Sequence, residues 1–179
     1  MDVDVSASFD QSGLSACPEG YALSGMWRGD CEELHCIETF HCCQVLTEMP
    51  TTTESTTTEA PQGTTTAVAD WIASFDTMGW SYVPAGTLIT GLERSGSSSD
   101  GSHGLHHIEA ASYINSLYTD PCTVEDWWST WDEGNQWVRC PAGSAIRGLY
   151  RNEGDEGRLY HVEQGQYLIE LYFSKNVCN

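Results

Sequence analysis

The chain has 179 residues, and its 26 Asp plus Glu against 7 Lys plus Arg give a formal net charge of -19, with 8 Cys, 17 Gly and 7 Trp. Nucleic-acid binding rests on neutralising phosphates with Lys and Arg, so this charge excludes it as the main function. No stretch approaches the roughly 18 consecutive apolar residues of a spanning helix, so no membrane insertion is expected.

In chain order the predicted elements form three copies of one unit. The first occupies residues 1–49 and reads DVSASFDQSGLSACPEGYALSGMWR from Asp4, then LHCIETFHC ending at Cys42. Val3, Val5, Ala7 and Phe9 alternate with Asp4, Ser6, Ser8 and Asp10, a period of two that predicts a strand with one row inward. The second copy, within 67–118, reads DWIASFDTMGWSYVPAGTLITGLER from Asp70 and LHHIEAASY ending at Tyr113. The third, within 122–179, reads DWWSTWDEGNQWVRCPAGSAIRGLYR from Asp126 and LYHVEQGQY ending at Tyr167.

Several columns recur. Phe9, Phe75 and Trp131 are each followed by Asp, and Pro18, Pro84 and Pro141 each open a Pro-x-Gly triplet. These triplets predict turns in which Pro presets the first corner and Gly supplies a positive φ. Gly25, Gly91 and Gly148 follow inside strands, where a glycine marks a bulge or a close backbone approach. Arg28, Arg94 and Arg151 share a column, as do Glu38, Glu109 and Glu163. Repetition in every copy argues for a structural Arg–Glu fork in each sheet, because a catalytic site is asymmetric.

The expected fold is therefore all-β, three units of about four short strands each, in a β-prism-like arrangement or, as the alternative, a β-trefoil. The CPxGxxxxG columns, the Arg, the Gly/Asp/Glu-rich loop and the closing Leu-x-x-Ile resemble the repeats of the vitelline-membrane outer-layer protein family. That resemblance implies a β-prism of three four-stranded sheets, and it covers the second half of each unit. The D-W-x-x-x-F-D opening departs from the family's pattern. A looser similarity to dermatopontin-like extracellular matrix proteins rests on Cys, Trp and Asp spacing, and neither family implies a catalytic residue here.

Between the first two copies lies PTTTESTTTEAPQGTTT, residues 50–66, which carries no large apolar side chain and cannot form a core. Its Thr51, Thr52, Thr53, Thr56, Thr57, Thr58, Thr64, Thr65 and Thr66 are the expected carriers of O-linked glycans. The cysteines divide unevenly around this linker: Cys17, Cys31, Cys36, Cys42 and Cys43 before it, Cys122, Cys140 and Cys178 after it. All eight are expected in disulfides, and two odd counts then require a bridge between the two parts. Cys31 and Cys36 flank a short loop, while Cys17 faces Cys42 or Cys43 across neighbouring strands. Disulfides and glycans together place the chain outside the cell, secreted.

Other motifs carry less. His103, His106 and His107 match no zinc spacing, and no cofactor is expected. Calcium is the one ion whose oxygen ligands abound, in loops 97–104, 132–135 and 152–157, yet none follows an EF-hand pattern. Arg28-Gly29-Asp30 spells an adhesion tripeptide, but the repeated column already explains Arg28. Trp80 and Trp137 share a column with Leu14, and Trp71 pairs with Trp127, which reads as core; Trp128 and Tyr118 are freer to meet a sugar.

No enzyme is expected. The first reading is an extracellular structural glycoprotein of a fibre or coat, a homopolymer in which copies exchange head to tail between chains, as in domain swapping. The alternative is a secreted, lectin-like carbohydrate-binding module.

Overall fold

The computed structural model describes residues 1–30, 36–45, 67–75, 77–94, 108–116, 122–127, 130, 133–151 and 162–169, the side chains of 122 and 162–169 excepted. It is mostly β-strand. In the first copy the elements are β1 (Asp2–Asp4), α1 (Ser6–Phe9), β2 (Gly13–Ala16), β3 (Tyr21–Arg28) and β4 (Ile37–Gln44). The second contributes β5 (Ala67–Asp70), α2 (Ile72–Phe75), β6 (Gly79–Tyr82), β7 (Thr87–Arg94) and β8 (Ile108–Asn115). The third contributes β9 (Cys122–Asp126), β10 (Gln136–Arg139), β11 (Ser144–Arg151) and β12 (Val162–Ile169).

These strands form three four-stranded antiparallel sheets, ordered β1-β4-β3-β10, β2-β7-β8-β5 and β6-β11-β12-β9. Each sheet thus takes three strands from one copy and an edge strand from another. Strand β2 leaves the first copy for the second sheet, β6 leaves the second copy for the third, and β10 returns from the third copy to the first. The exchange closes within one chain.

The expected strand through Phe9 ends early, at Asp4, and gives way to one helical turn. The cause is local: the Asp4 carboxylate accepts hydrogen bonds from the Ser6 backbone N–H at 3.0 Å and its hydroxyl at 2.6 Å, bending the chain away from the strand just before a turn that Phe9 N–H closes on Val5 C=O. Asp70 does the same for Ile72 N–H at 2.9 Å, and Phe75 N–H closes on Trp71 C=O. The turn carries Val5 and Phe9, or Trp71 and Phe75, into the interior. An alternation that looks like a strand is here a strand followed by a helical turn.

The Pro-x-Gly turns form, with a different division of labour. Tyr21, Thr87 and Ser144 N–H donate to the carbonyls of Pro18, Pro84 and Pro141, which places Pro at the first position rather than at the corner. Gly20, Gly86 and Gly143 then sit third with φ of 80, 78 and 79°, as a type II turn demands.

Gly25, Gly91 and Gly148 meet both of their expected conditions. A register shift precedes each on its strand, and each faces the exchanged strand so closely that an added Cβ would lie 2.6 Å from Val138 O, 2.6 Å from Ser15 O or 2.8 Å from Ser81 O. Only glycine lets the borrowed strand dock. The sheets bury one shared core, including Phe9, Leu23, Met26, Phe40, Trp71, Ile89, Leu92, Trp127 and Ile146, and a second small cluster of Ala22, Val45, Leu88, Ile114 and Ala145.

Candidate ligand-binding face of the first sheet

Strand exchange decides which side chains meet on the outward faces. In the first sheet, Trp137 on the borrowed β10 stands in register with Trp27 on β3, which in turn faces Thr39 on β4. The next row outward runs Asp2, His41, Gly25 and Arg139, one from each strand. The two indoles lie 5.7 Å apart between centroids and tilted by 59°, and both are half-buried. Arg139 is exposed and holds its guanidinium 3.9 Å from the centroid of Trp137, a cation–π contact. His41 meets the same indole edge-on at 6.1 Å.

A carboxylate completes the row. His41 Nδ1 lies 2.5 Å from Asp2 Oδ1, and Arg139 Nη2 lies 3.7 Å from Asp2 Oδ2. A carboxylate can only accept, so Nδ1 carries the proton of that hydrogen bond. The hydrogen bond from His41 holds the Asp2 carboxyl below its ordinary value; the charges of His41, Arg139 and the chain N-terminus add to this, and burial opposes it. The face therefore presents aromatic surface beside a fixed array of donors and acceptors.

This overturns one expectation. Trp80 and Trp137 do not pack in the core; both stand half-buried on outward faces, and Leu14 of the same column is 50% exposed. The inward row of these strands is Ser15, Ser81 and Val138, all buried. Two of those positions are polar because the helical turn lies over them: Ser15 Oγ bonds Ser8 Oγ at 2.8 Å, and Ser81 Oγ bonds Ser74 Oγ at 2.7 Å. Trp71 and Trp127 are core, as expected. Trp128 and Tyr118 lie outside the described residues.

The arginine column is buried in all three copies. Arg94 Nη1 donates to Phe9 C=O and Arg151 Nη1 to Phe75 C=O, each reaching into the preceding copy. Trp131, which fills the same column in the third copy, lies outside the described residues. Glu38 is exposed with its carboxylate against Gly29, Glu109 is half-buried, and the Glu163 side chain lies outside the described residues. Burial of Arg28 removes it from any adhesion tripeptide.

Of the cysteines, Cys17 and Cys42 are bonded, with Cα atoms 5.7 Å apart. Cys36 and Cys43 each take part in a further disulfide, not with one another, since the extended β4 separates them. Cys140 is not: it is a buried free thiol, which corrects the expectation of eight oxidised cysteines. The reason lies in the register. Cys42 pairs with Leu23 on β3, and the matching pair in the third sheet is Ile146 with Tyr167, so the position that would bond Cys140 holds tyrosine. Cys31, Cys178 and the Cys122 side chain lie outside the described residues.

The threonines of 50–66, the histidines at 103, 106 and 107, and the acidic loops 97–104 and 152–157 also lie outside them. In loop 132–135, Asn135 N–H donates to Gly29 C=O, which ties the loop to the end of β3. Among the described residues no three His, Cys, Asp or Glu converge as a metal site, and no helix is long and apolar enough to cross a membrane. Compared with protein-family models, curated proteins and solved structures, the chain matches none of them.

Proposed function

We propose that this chain is a secreted carbohydrate-binding module built as a three-sided β-prism, with the outward face of the first sheet as its sugar platform. One observation carries the reading: Trp27 and Trp137, contributed by different copies, meet in register on an outward face beside Arg139, His41 and Asp2. Pyranose rings offer flat C–H faces that pack on aromatic rings, and their hydroxyls take hydrogen bonds from a few fixed polar groups. A net charge of -19 favours a neutral saccharide over a sulfated or phosphorylated one. All-equatorial hexopyranoses present the flattest C–H faces, so a β-1,4-glucan oligomer is the ligand to try first. The Cys17–Cys42 bond suits an oxidising, extracellular setting.

The test is calorimetric titration of the protein with cellohexaose, in the wild type and in Trp27→Ala. Saturable heat that weakens about tenfold or more in the variant supports the platform; absence of binding by the wild type overturns it.

The fibre reading becomes the second one. It keeps one observation in its favour, that every sheet is completed by a strand from another copy. The same exchange run between chains would give an open filament. Because the exchange closes within one chain, no second copy is needed to complete a sheet. Sedimentation of native protein as a polymer would reverse this order. The Arg–Glu fork within each copy belongs to the same proposal, as scaffolding rather than chemistry.

A further inference from the structure

The three outward faces can be compared at one pair of equivalent positions. The borrowed edge strand and the central strand of each sheet meet as Trp137 with Trp27 in the first sheet, Leu14 with Glu93 in the second and Trp80 with Tyr150 in the third. The pairing that makes the first face aromatic thus recurs on the third and is lost on the second. On the third face, Trp80 meets Tyr150 edge-on at 5.3 Å and lies nearly parallel to Tyr82 at 5.3 Å, with 9° between the planes. Tyr82 is 39% exposed, and Arg147 lies 5.6 Å over its ring. That is the composition of the first face, aromatic surface with a guanidinium against a ring, assembled from other residues.

We infer that the third face is a second saccharide site, so that one chain binds two neutral glycan strands at once and cross-links them. The inference rests on the carbohydrate-binding reading of the first face. The occupant follows from the chemistry of the patch. Among its described side chains, Trp80, Tyr82 and Tyr150 gather rings and phenol hydroxyls at the β6 edge, away from the exposed Val124 at the β9 edge, which suits a hydroxylated ligand with flat C–H faces. The charge of -19 works against acidic polymers. The inner faces of the two sheets share one core, so their outer faces point away from each other and do not compete. The second face sets the exposed Leu14 beside Glu93 at this pair of positions, so among the described residues the ring pairing is missing there.

The bivalence has a direct readout. Cellohexaose is titrated into the full chain and into Trp137→Ala, Trp80→Ala and the double variant, with folding of each checked by circular dichroism. All three keep the sheet cores intact, because both indoles stand on outward faces. The expected result is two equivalents bound by the wild type, one by either single variant and none by the double variant. In parallel, the wild type should turn a solution of hydroxyethyl cellulose turbid, whereas either single variant should bind it without cross-linking. One equivalent in the wild type, unchanged by Trp80→Ala, would overturn the second site and leave the first standing. No binding by the wild type would overturn both. A Trp80→Ala chain that fails to fold is replaced by Tyr82→Ala on the same patch, and the same stoichiometries decide.

Discussion

Arg94 donates a hydrogen bond to the backbone carbonyl of Phe9, 85 residues earlier, and lays its guanidinium 5.0 Å over the ring of the same residue. Phe9 ends the helical turn that precedes β2, the strand lent to the sheet in which Arg94 stands. The arginine therefore fastens the loan. Arg151 repeats the relationship with Phe75.

Arg94→Ala leaves a buried carbonyl without its charged donor and removes the ring contact. The expected loss is about 2 to 3 kcal/mol of stability, read from urea unfolding, whereas Arg139→Ala on the exposed face should cost less than about 1 kcal/mol. Equal losses would remove the special role of the buried column.

Two glycines separate close approach from backbone conformation. At Gly91 an added Cβ would lie 2.6 Å from Ser15 O, so Gly91→Ala should push β2 off the second sheet and cost about 3 kcal/mol. At Gly86 nothing lies within 4 Å and only the φ of 78° resists a side chain, so Gly86→Ala should cost about 1 kcal/mol. Thermal melting of both variants checks the ranking.

The cysteines divide by reactivity. Burial pushes the Cys140 thiol well above its ordinary pKa, so native protein at pH 8 should resist alkylation there and take up one equivalent at Cys140 only after unfolding without reductant. Mass mapping of the alkylated peptide reads this out. Replacing Cys17 and Cys42 by Ser opens a bond spanning 25 residues and should cost about 3 kcal/mol.

Asp2 gives the pH dependence. Its folded pKa is depressed by the His41 hydrogen bond below the ordinary 3.8, so its stabilising effect is complete above that value and is lost as pH falls through the folded pKa. Asp2→Asn should lower stability across the neutral region, where the ionised carboxylate is stabilising, and flatten the acid limb, so that the variant and wild-type curves converge below about pH 4. An unaltered acid limb would contradict the Asp2–His41 contact.

The threonines of residues 50–66 should raise the intact mass of protein from its native source above that of the bare polypeptide. Enzymatic removal of O-glycans should restore the polypeptide mass.

Local chemistry alone determined much of this protein. An all-β fold, Gly-centred turns, the glycine of each strand and the partnership of Cys17 with a neighbouring strand are written in spacing, because each depends on a few adjacent residues. The helical turn at Ser6–Phe9 was hidden by its own alternation, since Val3, Val5 and Phe9 suit a strand as well as a strand followed by a turn. What only the tertiary structure decided is the exchange of β2, β6 and β10. A period of two tells that Trp80 and Ser81 point to opposite sides, but not which side is the core. Hydrophobicity chose the tryptophan; the structure chose the serine, because a hydroxyl from the overlying turn satisfies it there. That inversion placed Trp137 against Trp27 and Trp80 against Tyr150 on outward faces, joining residues from separate copies that no local pattern could bring together.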